Sequence, residues 1–146
     1  MTMKIIPYEA QAHEQLVEIW LQAVRATHHF LTEEDIQFFH GMVRDEALTS
    51  VEVWMAVDEA GKPTGFIGLD GPKVEMLFVD PKVHGQGIGK GLLNQAISLK
   101  GDKLQVDVNE QNPGACAFYT KFGFVQQSRS ELDPSGKPFP ILHMSL

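Results

Sequence analysis

The residues with the clearest chemical potential form a glycine-dense segment, His84-Gly85-Gln86-Gly87-Ile88-Gly89-Lys90. The segment follows an apolar run that ends at Val79 and precedes residues with the apolar spacing of a helix. The first amides of a helix have no partner within the helix, and the helix dipole is positive at that end, so anions bind there. Glycines let a phosphate group approach the backbone closely. The segment therefore predicts a phosphate-binding loop, and the alternative is a tight loop without a ligand.

The spacing of these glycines excludes two common nucleotide-binding signatures. The dinucleotide fingerprint G-x-G-x-x-G ends at Lys90 when it is counted from Gly85, and at Leu92 when it is counted from Gly87. The P-loop G-x-x-x-x-G-K-[ST] needs glycine where this chain has His84, and it needs Ser or Thr directly after Lys90. A phosphate-binding loop of another type remains.

Two segments together resemble the GNAT acyltransferase superfamily. In motif A of that family, an apolar strand ends in Asp-Pro and continues to Q/R-x-x-G-x-G/A at a helix start. The corresponding residues here are Leu77-Phe78-Val79-Asp80-Pro81, followed by His84-Gly85-Gln86-Gly87-Ile88-Gly89. The segment Asn109–Phe124 is similar to the signature N-x-x-A-x-x-F-Y-x-x-x-G-F in residue type, order and distance from motif A. The resemblance covers nearly the whole chain, but His84 stands where the family has Gln or Arg, which weakens one side-chain contact to the cofactor phosphates.

The resemblance implies that the strands ending at Val79 and Asn109 splay apart and that acetyl-CoA, as co-substrate, lies between them. Its pantetheine arm would pair with the backbone of the first strand, and its pyrophosphate would rest on the amides of the glycine loop. Asn112 is the expected polar contact from the next helix start, although asparagine also caps helices often. The cofactor-binding residues implied in this way are Leu77, Phe78, Val79, His84, Gly85, Gln86, Gly87, Ile88, Gly89, Lys90, Asn109 and Asn112. No metal ligand is assigned.

Tyr119 is the residue that the resemblance places near the cofactor sulfur, as the general acid for the departing thiolate. An unperturbed phenol, with a pKa of about 10, is protonated at neutral pH and can donate without tuning. The alternative role of Tyr119 is packing.

His28 and His29 fall between the first two helices, where this fold places substrate-binding residues, and histidine titrates near neutrality, so either could accept the amine proton. A surface or capping position is the alternative for each histidine. The backbone amide of Val79 is the implied group that polarises the thioester carbonyl.

The hydrophobic pattern predicts the elements that must position these residues. A strand at Met3–Ile6 precedes a helical stripe of Ala12, Leu16, Ile19, Trp20, Ala23 and Val24, and Thr32 is the expected cap of a second helix that ends at about Leu48. The later elements are strands at Val51–Val57, Thr64–Asp70 and Val74–Val79, a helix after the glycine loop, a strand at Leu104–Asn109, a helix from Pro113 to Gly123, and strands at Phe124–Leu132 and Phe139–Met144. The early strands suggest an antiparallel meander, and the apolar end of the third strand is expected to be covered on both faces.

These elements predict a mixed α/β fold. The resemblance implies the GNAT form of that fold, with a central, mostly antiparallel sheet, a splayed parallel pair of strands and flanking helices. The chain has 146 residues and 43% hydrophobic content, which is enough for one domain with a core. A single N-acetyltransferase domain is therefore expected over residues 1–146.

Charge and cysteine content limit the partners and the location. Twelve Lys and Arg against nineteen Asp and Glu give a formal charge of −7, which disfavours general binding of nucleic acid or anionic lipid. The single cysteine, Cys116, cannot form an internal disulfide, and the N-terminus lacks the apolar core of a signal peptide. No apolar run reaches the roughly 20 residues of a membrane span. We therefore expect a cytoplasmic protein without membrane association.

The sequence predicts an N-acetyltransferase that moves an acetyl group from acetyl-CoA to a primary amine by direct attack in a ternary complex. The acidic charge favours a small cationic amine or a protein lysine as acceptor. The protein is expected to be a monomer or a homodimer. The alternative is a non-catalytic module that binds acyl-CoA as a sensor or regulatory subunit, and the retained Tyr119 argues against it.

Overall fold

The computed structural model describes residues 3–146. The helices are α1 (His13–Thr27), α2 (Glu33–Met42), α3 (Leu48–Ser50), α4 (Ile88–Lys100) and α5 (Pro113–Phe122). The strands are β1 (Lys4–Pro7), β2 (Glu52–Val57), β3 (Pro63–Asp70), β4 (Lys73–Val79), β5 (Gln105–Asn109), β6 (Val125–Ser130) and β7 (Ile141–Ser145). Within the described residues no helix is long and apolar enough to cross a membrane.

All seven strands form one mixed sheet in the order β1-β2-β3-β4-β5-β7-β6. Strands β1 to β4 form the predicted antiparallel meander. Strand β5 lies parallel to β4, and α4 provides the crossover that a parallel pair requires. Strand β7 then inserts between β5 and β6 and pairs antiparallel with both. The predicted mixed α/β fold, with a mostly antiparallel sheet and one parallel pair, is confirmed.

Two hydrophobic clusters pack helices against opposite faces of this sheet. Phe66 and Ile67 are adjacent in β3 and fully buried, but they belong to different clusters, because successive side chains in a strand point to opposite faces. Helices α1 and α2 cover the Phe66 face, and α4 and α5 cover the Ile67 face. The predicted stripe of α1 is buried throughout, at Ala12, Leu16, Ile19, Trp20, Ala23 and Val24.

Two details differ from the sequence-based expectation. The second helix reaches Leu48 through a π-helical turn at Val43–Ala47 instead of a regular α-helix. The apolar end of β4 is not covered on both faces, because residues 76–79 are each only partly buried. Beyond Val74, β4 has no paired neighbour on the β5 side, and this lost partner explains the exposure.

Candidate active site

A cleft opens where β4 and β5 separate. The two strands are paired only at Lys73 with Gln105 and at Val74 with Val106. Past these pairs the gap widens into a cleft of about 110 Å³. Its lining includes Leu77 and Phe78 of β4, together with Val108, Asn109, Asn112 and Tyr119. The parallel pair is therefore splayed, as the resemblance implied.

The open edge of β4 presents backbone groups to this cleft. The amide of Asp80 donates to the carbonyl of Thr64 on β3, with an N···O distance of 2.8 Å. In an antiparallel pair, hydrogen-bonded positions alternate with positions that face away from the partner strand. The N–H and C=O groups of Val79 and Leu77 therefore point away from β3 and toward the gap. A chain of amides such as pantetheine can pair with backbone groups placed in this way.

The glycine loop leads directly into the N-terminus of α4. Gly85 and Gly87 have φ values of +84° and +80°, which only glycine adopts without strain, and Gly87 is the residue at the helix cap. The amide of Gly91 donates to the carbonyl of Gly87 at 2.9 Å, so the three amides before it precede the first helical hydrogen bond. His84 and Lys90 are exposed beside the loop. The loop therefore offers free amides, a positive helix end and solvent access to an anion.

Gly89 lies in the first turn of α4, and Ile88 beside it is buried. A Cβ on Gly89 would lie 3.1 Å from the Phe118 ring of α5. Glycine at this position therefore permits α4 and α5 to pack closely, which distinguishes its role from that of Gly87, where a Cβ would meet open space.

Tyr119 lies on α5 with its ring packed edge-on against Phe118 and Phe124, at centroid distances of 5.3 and 5.4 Å. Only 7% of the residue is exposed, and this side chain lines the cleft between β4 and β5. Within the part of the chain that the structure describes, the Tyr119 hydroxyl has no hydrogen-bond partner, and its oxygen is not fully buried. Burial raises the pKa of Tyr119 well above its ordinary value, so the hydroxyl stays protonated at every physiological pH.

Asn109 and Asn112 contribute polar groups to the same cleft. The Asn112 side-chain oxygen accepts from the amide of Ala115 at 3.2 Å and caps α5, so the capping role weighed from the sequence is present. This bond occupies Oδ1 and leaves the amide NH₂ of Asn112 as a donor toward the cleft. The Asn109 oxygen accepts from the amide of Gln111 at 3.0 Å. Both asparagines are thus held in place by local backbone bonds.

The two histidines between α1 and α2 lie in different places. His28 lines the cleft together with Tyr119, and its Nδ1 lies 2.7 Å from the Thr27 hydroxyl oxygen. Burial, with a smaller contribution from the charge of His29, lowers the pKa of His28 to about 4. The expectation that His28 titrates near neutrality is therefore wrong, and a neutral, weakly basic imidazole faces the cleft. His29 is exposed and lines a neighbouring cleft with Gln111 and Asn112.

Two carboxylates in the cleft were missed by sequence reasoning. Glu75 of β4 and Asp107 of β5 line the same space as Tyr119. Burial alone would raise the pKa of Asp107, but hydrogen bonds from His143 and Lys73 outweigh it and hold that pKa below its ordinary value. The sequence did contain one signal for Asp107. It lies between two valines of β5 that are buried, so its side chain must point to the opposite face of the sheet from theirs.

Known proteins share this sequence and this arrangement. The family model for the acetyltransferase (GNAT) domain matches residues 26–144. The peptidyl-lysine N-acetyltransferase YjaB of Escherichia coli K12 is 42% identical over 132 residues, which cover 90% of this chain and 88% of that relative. The chain belongs to the GNAT acetyltransferase family. The peptidyl-lysine N-acetyltransferase YiaC of the same organism is 32% identical over 119 residues, which cover 80% of each chain.

Solved GNAT structures have the same fold. The solution structure of apo YjaB from Escherichia coli superposes with a TM-score of 0.93 and 40% identity, covering 99% of this chain and 97% of that one. The PaiA N-acetyltransferase of Thermoplasma acidophilum, solved in complex with coenzyme A, has a TM-score of 0.76 at 20% identity and covers 98% of each chain. This GNAT chain is an acetyl-CoA-dependent N-acetyltransferase, as the sequence predicted. The non-catalytic alternative gains no support.

The residues of this GNAT chain fit acetyl-CoA in two places. Gly85 and Gly87 keep side chains away from the N-terminus of α4, where a pyrophosphate needs close backbone contact. The gap beside Val79 exposes the peptide groups that an extended pantetheine arm requires. The loop and the gap adjoin, because Asp80 and Pro81 connect β4 directly to the loop.

Proposed function

We propose that this enzyme acetylates the ε-amino group of lysine residues in proteins or peptides, by direct attack of the amine within a ternary complex. The observation that carries the proposal is the Tyr119 hydroxyl, which stays protonated, has no hydrogen-bond partner within residues 3–146 and belongs to a side chain that lines the cleft between β4 and β5. The cleft also carries Glu75 and Asp107, which suit a cationic acceptor. The names of YjaB and YiaC as peptidyl-lysine N-acetyltransferases support the same acceptor class.

The proposed chemistry needs three groups of this chain. The backbone N–H of Val79 faces the gap and polarises the thioester carbonyl, which makes its carbon electrophilic. The neutral amine attacks that carbon, the new C–N bond forms, and the C–S bond breaks. Tyr119 donates its proton to the departing thiolate, the amine nitrogen loses one proton to water, and water returns a proton to the Tyr119 phenolate, so CoA thiol and the acetylated lysine leave. His28 is a poor proton acceptor here, since its pKa is about 4.

Binding of acetyl-CoA is assigned to the two segments described above. The amides from Gly85 to Lys90 would hold the pyrophosphate, with the exposed side chains of His84 and Gln86 beside it. The backbone of Leu77, Phe78 and Val79 would align the pantetheine arm. Asn109 and Asn112 would contact that arm from the opposite wall of the cleft. His29, which lines the neighbouring cleft, would contact the acceptor.

We place this activity in a single domain over residues 1–146 in a bacterial cytoplasm. The YjaB relatives come from Escherichia coli and Salmonella typhimurium, and each is covered to 88% or more by this chain. The single cysteine has no partner for an internal disulfide, which suits a reducing compartment.

The test is a panel of acceptors with acetyl-CoA: lysine peptides, N-terminally blocked and unblocked, free amino acids and polyamines. Thiol release measures turnover, and mass spectrometry locates the acetyl group. We expect the blocked lysine peptides to gain one acetyl group on the side chain. Turnover confined to α-amines or polyamines would refute the acceptor class. Acetyl-CoA hydrolysis without transfer to any amine would refute the proposed function.

A further inference from the structure

An ammonium group of the chain itself lies beside the two cleft carboxylates. Lys73 is the first residue of β4, and its Nζ lies 2.9 Å from Asp107 Oδ2 and 3.6 Å from Glu75 Oε1. The hydrogen bond to Asp107 raises the pKa of Lys73, so this amine remains charged. Glu75 and Asp107 both line the cleft. The cleft wall therefore already binds the same chemical group that the proposed acceptor carries.

A second observation points to a ligand in this cleft. The Tyr119 hydroxyl lines the same space, its residue is 7% exposed, and it has no hydrogen-bond partner within residues 3–146. Since no fully buried side-chain oxygen or nitrogen of the described residues lacks a partner, the Tyr119 oxygen reaches the open space of the cleft, where it can form a hydrogen bond with a substrate. The carboxylates and this hydroxyl then face one common reaction space.

Asp107 is held firmly at this wall. It pairs across the strands with His143 of β7, whose Nδ1 lies 2.7 Å from Asp107 Oδ1. The other ring nitrogen, Nε2, lies 2.6 Å from the Ser130 hydroxyl oxygen on β6. In the neutral imidazole, Nδ1–H donates to the carboxylate and Nε2 accepts from the serine. Each carboxylate oxygen has a second lone pair, so Asp107 can accept a further donor while both present bonds persist.

We propose that Asp107 and Glu75 receive the acceptor ammonium, and that Lys73 competes with it as an internal occupant of the same carboxylates. This inference rests on the proposed function, because it names the subsite that the acceptor lysine would use. Two negative charges face one internal positive charge, so a second cation is attracted, though less strongly than it would be without Lys73. Lys73 therefore limits the affinity for the acceptor, and His143 positions the carboxylate.

The two partners of this ion pair should have opposite effects when each is removed. Asp107→Asn should raise the KM for a lysine peptide by about tenfold, since a hydrogen bond to a charged group contributes about 1.5 kcal/mol or more. Lys73→Met should lower the same KM severalfold, because it frees both carboxylates for the acceptor. The KM for acetyl-CoA should stay at the parent value in both variants. Loss of a merely structural ion pair would move both variants in the same direction.

Lys100 and Glu52 provide the matched control. Their ion pair is 2.8 Å long, its partial exposure is similar, and neither residue lines the cleft. Lys100→Met and Glu52→Gln should both leave the KM for the peptide unchanged. Glu75→Gln provides a second test if Asp107→Asn folds poorly, because it removes a carboxylate without disturbing His143, and it should also raise the KM.

The measurement is steady-state kinetics with a saturating second substrate, together with the melting temperature of each variant with and without CoA. Opposite shifts of the peptide KM for the Asp107 and Lys73 variants support the inference. An active parent whose Lys73→Met variant has an unchanged or raised peptide KM refutes the inference and leaves the proposed function standing. A parent that acetylates no amine refutes the proposed function, and the inference with it.

Discussion

Replacement of Tyr119 by phenylalanine separates its chemical role from its packing role. The ring is packed between Phe118 and Phe124, and phenylalanine keeps those contacts. The hydroxyl has no hydrogen-bond partner within the described residues, so its removal breaks no bond. We therefore expect the melting temperature and the CoA affinity to remain at the parent values, while the group that we propose as the acid for the departing thiolate is lost.

General acid catalysis typically contributes roughly 10²–10⁴-fold, which corresponds to about 3–5 kcal/mol of the activation free energy. The kcat of Tyr119→Phe with a lysine peptide should therefore fall by at least tens of times, with little change in the KM for acetyl-CoA. Thiol release at saturating substrates measures this directly. A raised KM for acetyl-CoA with kcat preserved would instead assign the hydroxyl to cofactor binding.

The second tyrosine of the chain, Tyr8, is a matched control for this substitution. Its hydroxyl lies 2.7 Å from His13 Nδ1, and Tyr8 does not line the cleft. Tyr8→Phe should lose about 1 kcal/mol of stability, or a few °C of melting temperature, and keep full turnover. Tyr119→Phe should keep the melting temperature of the parent and lose most of the turnover. If both variants keep the parent kcat and KM, the thiolate needs no acid from Tyr119, and the mechanism is refuted.

Three further predictions concern the loop and His28. Gly87→Asp should abolish the increase in melting temperature that CoA produces, because it adds a negative charge and a side chain at a strained φ of +80° where the phosphate is proposed to bind. Gly71→Asp is the control, since Gly71 also has a positive φ, +58°, but lies at the far end of β4, and this variant should retain the increase. His84→Arg should tighten CoA binding at low salt by adding a permanent charge with several donors, and calorimetry that shows no gain would place this side chain away from the phosphates. Because the pKa of His28 falls from 6.5 to about 4 on folding, its contribution to stability is fully present above pH 6.5 and is lost as the pH falls toward 4. Between pH 6.5 and 4 the free energy of unfolding of the parent should therefore fall more than that of His28→Gln, by at most about 3 kcal/mol. Equal changes in the two free energies of unfolding would contradict the low pKa of His28.

Local rules made much of the fold predictable. The cap at Thr32 depends on four consecutive residues, and the structure has the full reciprocal arrangement, with the Asp35 side chain accepting from the Thr32 amide. The stop at Gly123 depends on one residue with a φ of +128°. The strands of the meander alternate in hydrophobicity because each has two differently covered faces. These signals act over a few residues, so a single sequence contains them.

The contents of the cleft could not be predicted in the same way. Lys73, Asp107 and His143 come from three strands that are far apart in the sequence, and only the sheet order brings them together. The sequence also could not predict that the end of β4 is partly exposed, because the apolar run there is as hydrophobic as that of a strand covered on both faces. The pKa of His28 depends on burial by segments outside its own, which no local pattern records.

The location of the site follows from one feature of the connectivity. A parallel strand must be reached by a crossover, and here α4 provides it between β4 and β5. A crossover helix begins beside the carboxyl end of the strand it follows, so the positive end of α4 must lie beside Val79. The same two strands separate at that end, which opens peptide groups of β4 next to free amides of the loop. An extended ligand with a phosphate at one end and amides along its length would therefore meet both features at once, and in the proposed binding mode its far end would reach Tyr119 and the carboxylates.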